Sequence, residues 1–333
     1  MKKKALTAAL AAAFVLTTAG SVFANGVEFD GSVNLQFRKN TEDNQPDKSG
    51  NRFQFILNGT APEINKNIDL YFRLAGERTS GIAKWRDFEA NENSTDTSVF
   101  ALDQFGFNYK NAGWNYKIGR QSSFVGATGL IYDDTGAFGK HVFGDGITIS
   151  GKTGATNVAV ATRSMDWYDK HNVNQTPKLY VGALSYKPSK DLTVGSTFVR
   201  VAPDGGDHIN IWAVNAAYDV NSKVNLFGEY GKSNADDNNK GYAFGGSYSL
   251  DKKNSFYAIY SRVEPHFTIE SGQQSQSTTF DINGKGMYYG FDHKFDKTTS
   301  LSVFYKDMKN INSKSDDFNK NYSSFRTTVS YKF

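Results

Sequence analysis

The feature that most narrows the fold of this chain is a period of two that runs from residue 27 to the C-terminus. Asn51 to Asn58 places Phe53, Phe55 and Leu57 on one face and Arg52, Gln54 and Asn58 on the other. Ile68, Leu70, Phe72 and Leu74 are opposed by Asp69, Tyr71, Arg73 and Glu77. In Tyr322 to Phe333, Phe325, Val329, Tyr331 and Phe333 face away from Ser324, Arg326, Thr328 and Lys332. Successive side chains of a strand point to opposite faces, so alternation over about ten residues specifies a strand with one apolar and one polar face. A period of 3.6 is hard to find beyond residue 25. The chain reads as all-β.

About sixteen such segments follow one another. They fall near 27–38, 51–60, 67–77, 99–110, 113–121, 144–152, 156–166, 177–187, 191–201, 208–219, 223–232, 240–250, 254–264, 285–295, 299–309 and 321–333. The connections alternate in length. Asn111-Ala112, Asn221-Ser222 and Asp251-Lys252-Lys253 are short, whereas 39–50, 78–98, 122–143, 265–284 and 310–320 are long and polar. Short turns on one rim and long loops on the other predict a transmembrane antiparallel β-barrel. An even strand count leaves both chain ends on the short-turn side.

Composition agrees with that reading. Only 38% of the residues are hydrophobic, yet there are 26 Phe and 18 Tyr. A spanning sheet must close so that every backbone polar group is paired. Its outer face then takes the aromatics, while its interior stays polar. At about sixteen strands the interior is too wide for side chains to fill, which leaves an aqueous channel. A secreted β-sandwich would spread its loops more evenly, and a β-helix would show a fixed repeat. Neither pattern is present.

The N-terminus predicts export. Lys2, Lys3 and Lys4 precede an apolar stretch from Ala5 to Thr17, and Val22-Phe23-Ala24 supplies small residues for cleavage before Asn25. Residues 1–24 are therefore expected to be a signal peptide, with 25–333 forming the barrel; the apolar run is too short to span. The chain has no Cys, which excludes disulfides, thiolate metal sites and cysteine nucleophiles. Its 38 basic and 34 acidic residues are too evenly matched for a nucleic-acid footprint.

Three sequence features resemble the general-diffusion porins of Gram-negative outer membranes. The chain ends Val329-Ser330-Tyr331-Lys332-Phe333, similar to the aromatic-terminated signal read by the barrel assembly machinery. Asn51-Arg52-Phe53 is similar to a porin strand that sends an arginine into the pore. Gly119-Arg120-Gln121, a loop containing Tyr132-Asp133, and Phe143-Gly144-Asp145 resemble the segment that holds the inward-folded third loop. The resemblance implies a trimeric, 16-stranded barrel in the outer membrane, in contact with lipid and lipopolysaccharide. It also implies passive diffusion of small hydrophilic solutes and a constriction formed by loop 122–143. That loop carries its acids at Asp133 and Asp134, rather than late, where Gly139-Lys140-His141-Val142 stands. No cell-wall attachment domain is expected.

Alternation and resemblance together select Arg52, Arg73, Lys117, Arg120, Asp133, Asp134, Arg163 and Arg326 as pore-lining or constriction residues. Further inward candidates are Lys152, Lys294, Lys306 and Lys332, against Asp69, Glu77, Glu229 and Asp292. Basic rings favour anions, so the excess predicts a mild anion preference. Arg120 sets two readings against each other. Alternation from Trp114, Tyr116 and Ile118 points it at lipid, where an arginine costs about 2–4 kcal/mol at the midplane. The resemblance implies an inward side chain, which a bulge at Gly119 would permit, and the inward placement is the expectation.

Catalytic signals are weak. Gly146 to Thr153 matches G-x-x-x-x-G-K-[ST] by letter, but its spacer is alternating β-branched residues instead of a loop opening a helix. The five His are scattered without metal-ligand spacing. No cofactor, no metal and no enzymatic activity are expected. The alternatives are a substrate-specific channel for sugars or phosphorylated anions, and a barrel hydrolase using His293 beside a serine.

Overall fold

The computed structural model describes residues 26–81, 97–136, 143–165, 167–168, 174–203, 207–269, 279–311 and 320–333. The expected signal peptide and residues 137–142 of the expected constriction loop lie outside them. The first strands are β1 (Glu28–Glu42), β2 (Lys48–Asn65), β3 (Ile68–Ser80), β4 (Thr97–Asn111) and β5 (Trp114–Gln121). Two short pieces, β6 (Phe124–Val125) and β7 (Tyr132–Asp133), pair with each other before β8 (Gly144–Thr153) and β9 (Thr156–Met165). A second small pair is β10 (Trp167–Tyr168) with β11 (Asn174–Gln175). There follow β12 (Lys178–Tyr186), β13 (Leu192–Ala202), β14 (Ile209–Asp219), β15 (Val224–Ser233) and β16 (Lys240–Ser249). The chain finishes with β17 (Asn254–Val263), β18 (Gly284–Lys294), β19 (Thr299–Asn310) and β20 (Asn321–Lys332).

Sixteen of these strands form one closed antiparallel barrel in chain order, with β20 paired to β1. Each of the sixteen segments predicted by alternation coincides with a barrel strand. Among the described residues no helix is long and apolar enough to cross a membrane. Closure is sealed at the chain end: Phe333 N–H donates to Gly31 O at 3.1 Å and Gly31 N–H to Phe333 O at 3.0 Å. The Phe333 ring occupies the space where a Cβ on Gly31 would stand, only 2.6 Å from its nearest carbon. It stacks with Phe55 and Tyr331.

The two faces of the sheet sort as the alternation requires. Leu35, Phe37, Phe53, Phe105, Leu184, Phe198, Trp212 and Phe244 stand exposed on the outside. So large an apolar surface is untenable in water and natural against hydrocarbon. Arg52, Arg73, Glu77, Arg163, Glu229 and Lys306 are buried on the inside. Part of the inner face departs from this sorting, most clearly on β13 and β14, where inward Val199, Val201, Ile211 and Ala213 are also apolar and buried. Near-continuous apolar runs mark strands covered on both faces.

Three short turns share one chemistry. Asn221 Oδ1 accepts from the amides of Lys223 and Val224 at 2.8 and 3.0 Å. Asp251 does the same for Lys253 and Asn254 at 2.7 and 2.8 Å. Asp296 does so for Thr298 and Thr299, both at 2.7 Å. Such side chains replace backbone partners where the chain must reverse. The Asn254 side chain and the amides of Lys253 and Asn254 hold the Asp251 carboxyl below the usual range, and the amides of Thr298 and Thr299 do the same for Asp296. A depressed carboxyl adds stability that is present above about pH 4 and is lost as pH falls through its folded-state value. In acid unfolding followed by circular dichroism in detergent, the double variant Asp251→Asn, Asp296→Asn should keep its turns and lose less stability on acidification. An unchanged acid slope would contradict this.

Candidate functional site

The barrel lumen is narrowed by two loops that fold inward. The first follows β5. Its Val125, Leu130, Ile131 and Tyr132 are buried in one cluster with Met165, Leu179, Val199, Val201, Ile211 and Ala213 of the inner wall. Apolar inner positions on β13 and β14 therefore form the seat of the loop, and hydrophobic burial holds it down. Polar clamps fix its path. Glu229 on β15 accepts from the amides of Ala127 and Thr128 at 3.0 and 2.8 Å and from the Thr128 hydroxyl at 2.6 Å. Gly126 makes this possible, with φ +89° and no room for a Cβ, which would stand 2.5 Å from the Glu229 carboxylate. Arg163 on β9 donates to Ser122 O at 2.8 Å and also to the Ser123 hydroxyl.

The second loop joins β17 to β18 and was not expected to enter the barrel. Phe267, Ile269 and Phe280 are buried, and the Phe267 ring lies over Gly231 and Gly241, where a Cβ at Gly241 would come within 2.2 Å of it. The two loops touch. The Thr279 hydroxyl donates to Asp133 Oδ2 at 2.9 Å, and its amide donates to Gly129 O at 3.5 Å. The sequence signal for this second plug is a set of aromatics in a polar loop opposite two inward glycines.

Beside the loops a cavity of about 560 Å³ opens against β1, β2, β19 and β20. Its basic wall is Arg38, Arg52, Lys306 and Arg326; Asp133, Thr279 and Asp281 face it from the loops, and Glu42 stands at the end of β1. Arg52 Nε lies 2.5 Å from Glu77 Oε2, and Gln54 Nε2 donates to the same oxygen at 2.9 Å. Lys306 is ion-paired to Asp281 and lies over the Tyr322 ring, 5.2 Å from its centroid. The Arg326 guanidinium stacks on Phe304 at 4.9 Å.

The predicted residues divide into four groups. Arg52, Asp133 and Arg326 line the cavity. Arg73 also points inward, but Asp103 grips it with two hydrogen bonds of 2.7 Å. Asp103 is the extra residue of a bulge in β4, where pairing jumps from Arg73↔Gln104 to Leu74↔Leu102. Lys117 points inward over the Tyr71 ring at 4.4 Å, and Arg163 is spent on the loop.

Two expectations are corrected. Arg120 does not face the pore. Gly119 has φ +123°, yet Gly106↔Gly119 and Gly119↔Gly146 continue the ladders without an inserted residue, so strict alternation prevails. Arg120 stands opposite outward Phe105 and pairs with Asp145 at 3.1 and 3.2 Å. Asp145, its register partner on β8, is the acid that offsets its charge there. Asp134 is not a lining charge either. It is fully buried, and its Oδ1 accepts from the Ser123 amide at 2.6 Å. Burial pushes its carboxyl well above the usual range against the pull of the Ser123 amide and Arg163.

Arg38 and Asp103 were missed. Arg38 was legible, because Gln36, Arg38 and Asn40 continue the polar face opposite Leu35 and Phe37. The letter match at Gly146 to Thr153 lies within β8 and offers no phosphate-binding loop. His293 Nδ1 pairs with Asn254 at 2.8 Å and its ring meets Phe295 edge-on. Among the described residues no group of three or more His, Asp or Glu could hold a metal.

The architecture is a closed, sixteen-stranded antiparallel barrel with loops folded into its lumen. A variant of the Rhodopseudomonas blastica porin carrying three substitutions superposes with a TM-score of 0.58 at 12% identity, covering 92% of this chain and 100% of that one. A tryptophan-substituted triple variant of the same porin gives 0.57, also at 12% identity and the same coverage. A structure titled for the asymmetric conductivity of engineered proteins gives 0.56 at 11% identity, with 92% and 100% covered. At these identities the likeness shows the fold, a sixteen-stranded porin barrel. No protein-family profile matches the sequence. No curated protein matches it.

Glu229→Ala should release the first loop, since it removes the acceptor shared by the amides of Ala127 and Thr128 and the Thr128 hydroxyl. Single-channel recordings should then show larger and noisier openings. Asp134→Asn keeps the acceptor for the Ser123 amide and should leave thermal stability at pH 7 unchanged. Quiet wild-type openings in Glu229→Ala would show that the loop is held some other way.

Proposed function

We propose that this protein is an outer-membrane porin, a water-filled channel for passive diffusion of small hydrophilic solutes and ions. The observation that carries the reading is a closed sixteen-stranded barrel, apolar outside, whose lumen holds a charged cavity beneath an inward-folded loop. The lumen is too wide to be filled by its own side chains. Permeation is then a matter of pore radius at the two loops and of the field across the cavity, and needs no covalent chemistry.

The basic wall gives a mild preference for anions, because cationic groups raise the local anion concentration. Residues 1–24 act as the export signal. Phe333, whose ring closes the seam, doubles as the mark read by the assembly machinery. In the membrane the chain forms a homotrimer in contact with lipid and lipopolysaccharide. These assignments rest on the sequence resemblance and on the agreement of barrel, strand number and inward loop with it.

Single-channel recording of the refolded mature protein in a planar bilayer tests the proposal. Stepwise ohmic openings in groups of three are expected. Under a KCl gradient the reversal potential should take the sign of a chloride preference. A cation-selective reversal would show that Asp133, Glu42 and Asp281 outweigh the basic wall. A folded barrel that never conducts would end the porin reading.

A further inference from the structure

Three inward cations of the barrel have a carboxylate at hand. Arg52 has Glu77, Arg73 has Asp103, and Lys306 has Asp281. Lys117 lies instead over the Tyr71 ring and Arg163 is spent on the loop, whereas Arg38 and Arg326 face the open cavity. They are register partners on the paired strands β1 and β20, so two guanidiniums project from one rung into the same cavity. Among the described residues neither has a carboxylate oxygen within 4.0 Å. The contacts they do make are neutral. Arg38 Nη2 donates to Gln36 Oε1 and Arg326 Nε to Ser324 Oγ, each at 3.3 Å. Arg38 Nε is buried and has no hydrogen-bond partner.

Like charges directly opposite each other across a strand pair destabilise it, and a buried donor without a partner adds to the cost. An anion between them would remove both penalties. The geometry suits that role. Phe304 holds one face of the Arg326 guanidinium, which leaves in-plane N–H groups free to fork an oxyanion. The cavity, at about 560 Å³, has the size of a small-ligand site. Across it, Asp133 and Thr279 offer polar partners for hydroxyl or ammonium groups, and Asp133 and Glu42 disfavour a heavily charged guest.

We propose that Arg38 and Arg326 form a binding site for the oxyanion group, phosphate monoester or carboxylate, of a small hydrophilic solute passing through the barrel. The proposal rests on the porin reading and refines it from general diffusion to a channel with one anion-holding station. Transient occupancy of this cavity favours such solutes at low concentration and saturates at high concentration.

The test is chloride current through single channels in the presence of inorganic phosphate, glucose 6-phosphate or glucose. Phosphate and glucose 6-phosphate should reduce the current in a concentration-dependent, saturable way, while glucose should not. In Arg38→Gln and in Arg326→Gln the half-blocking concentration should rise about tenfold or more, the effect of losing a charge-assisted hydrogen bond. Heat-modifiable migration on gels verifies that each variant is folded. Arg326→Lys, which keeps the charge but not the fork, should fall between wild type and Gln. Open channels indifferent to both phosphates would overturn the proposal while leaving the porin reading intact. So would block that survives in the double variant Arg38→Gln, Arg326→Gln. A folded barrel with no chloride current at all would overturn the porin reading and this site with it.

Discussion

Everything in this structure depends on closure of the backbone ladder between the first strand and the last. In hydrocarbon an open sheet edge leaves a row of unpaired N–H and C=O groups, each costing several kcal/mol. Pairing β1 with β20 from Ser32↔Lys332 to Glu42↔Tyr322 removes that edge. Once the cylinder is closed, parity alone decides which side chain meets lipid and which meets the lumen. That is why one short seam, finished by Gly31 and Phe333, governs the placement of charges tens of residues away.

The lumen is then shaped by a competition between hydrophobic seating and charge. The loop after β5 is pressed onto an apolar inner wall, and Glu229 and Arg163 are consumed in fixing it. The loop between β17 and β18 fills the neighbouring sector with Phe267, Ile269 and Phe280. Among the described residues a cavity lies against β1, β2, β19 and β20, where the cations outnumber their nearby partners.

The strands were fully legible, because a barrel strand writes its orientation into every second residue. The inward positions of Arg52, Arg73, Lys117, Arg163 and Arg326 followed from that parity. Arg120 shows the limit of adding a resemblance to it: the alternation from Trp114 was right, and the expected bulge was absent at Gly119. A real bulge does occur nearby, at Asp103, but an inserted residue has no period and left no trace in the sequence. Loops are illegible for the same reason. For the loop between β17 and β18 the only trace was aromatics in a polar stretch opposite Gly231 and Gly241, which leave the space that the Phe267 ring fills. Glu229 was read as a pore acid because its two amide partners come from about a hundred residues away. Val199, Val201, Ile211 and Ala213 did carry a signal, since strands apolar on both faces are covered on both.

The most direct test of the account is cysteine scanning along β20, made simple by a chain with no native cysteine. Single cysteines at Ser324, Arg326 and Thr328 should react with a membrane-impermeant charged thiol reagent in reconstituted liposomes, and reaction should reduce conductance. Cysteines at Phe325, Thr327 and Val329 should stay unreactive in lipid. Uniform labelling, or labelling with the opposite parity, would contradict a closed barrel with Arg326 in a water-filled lumen.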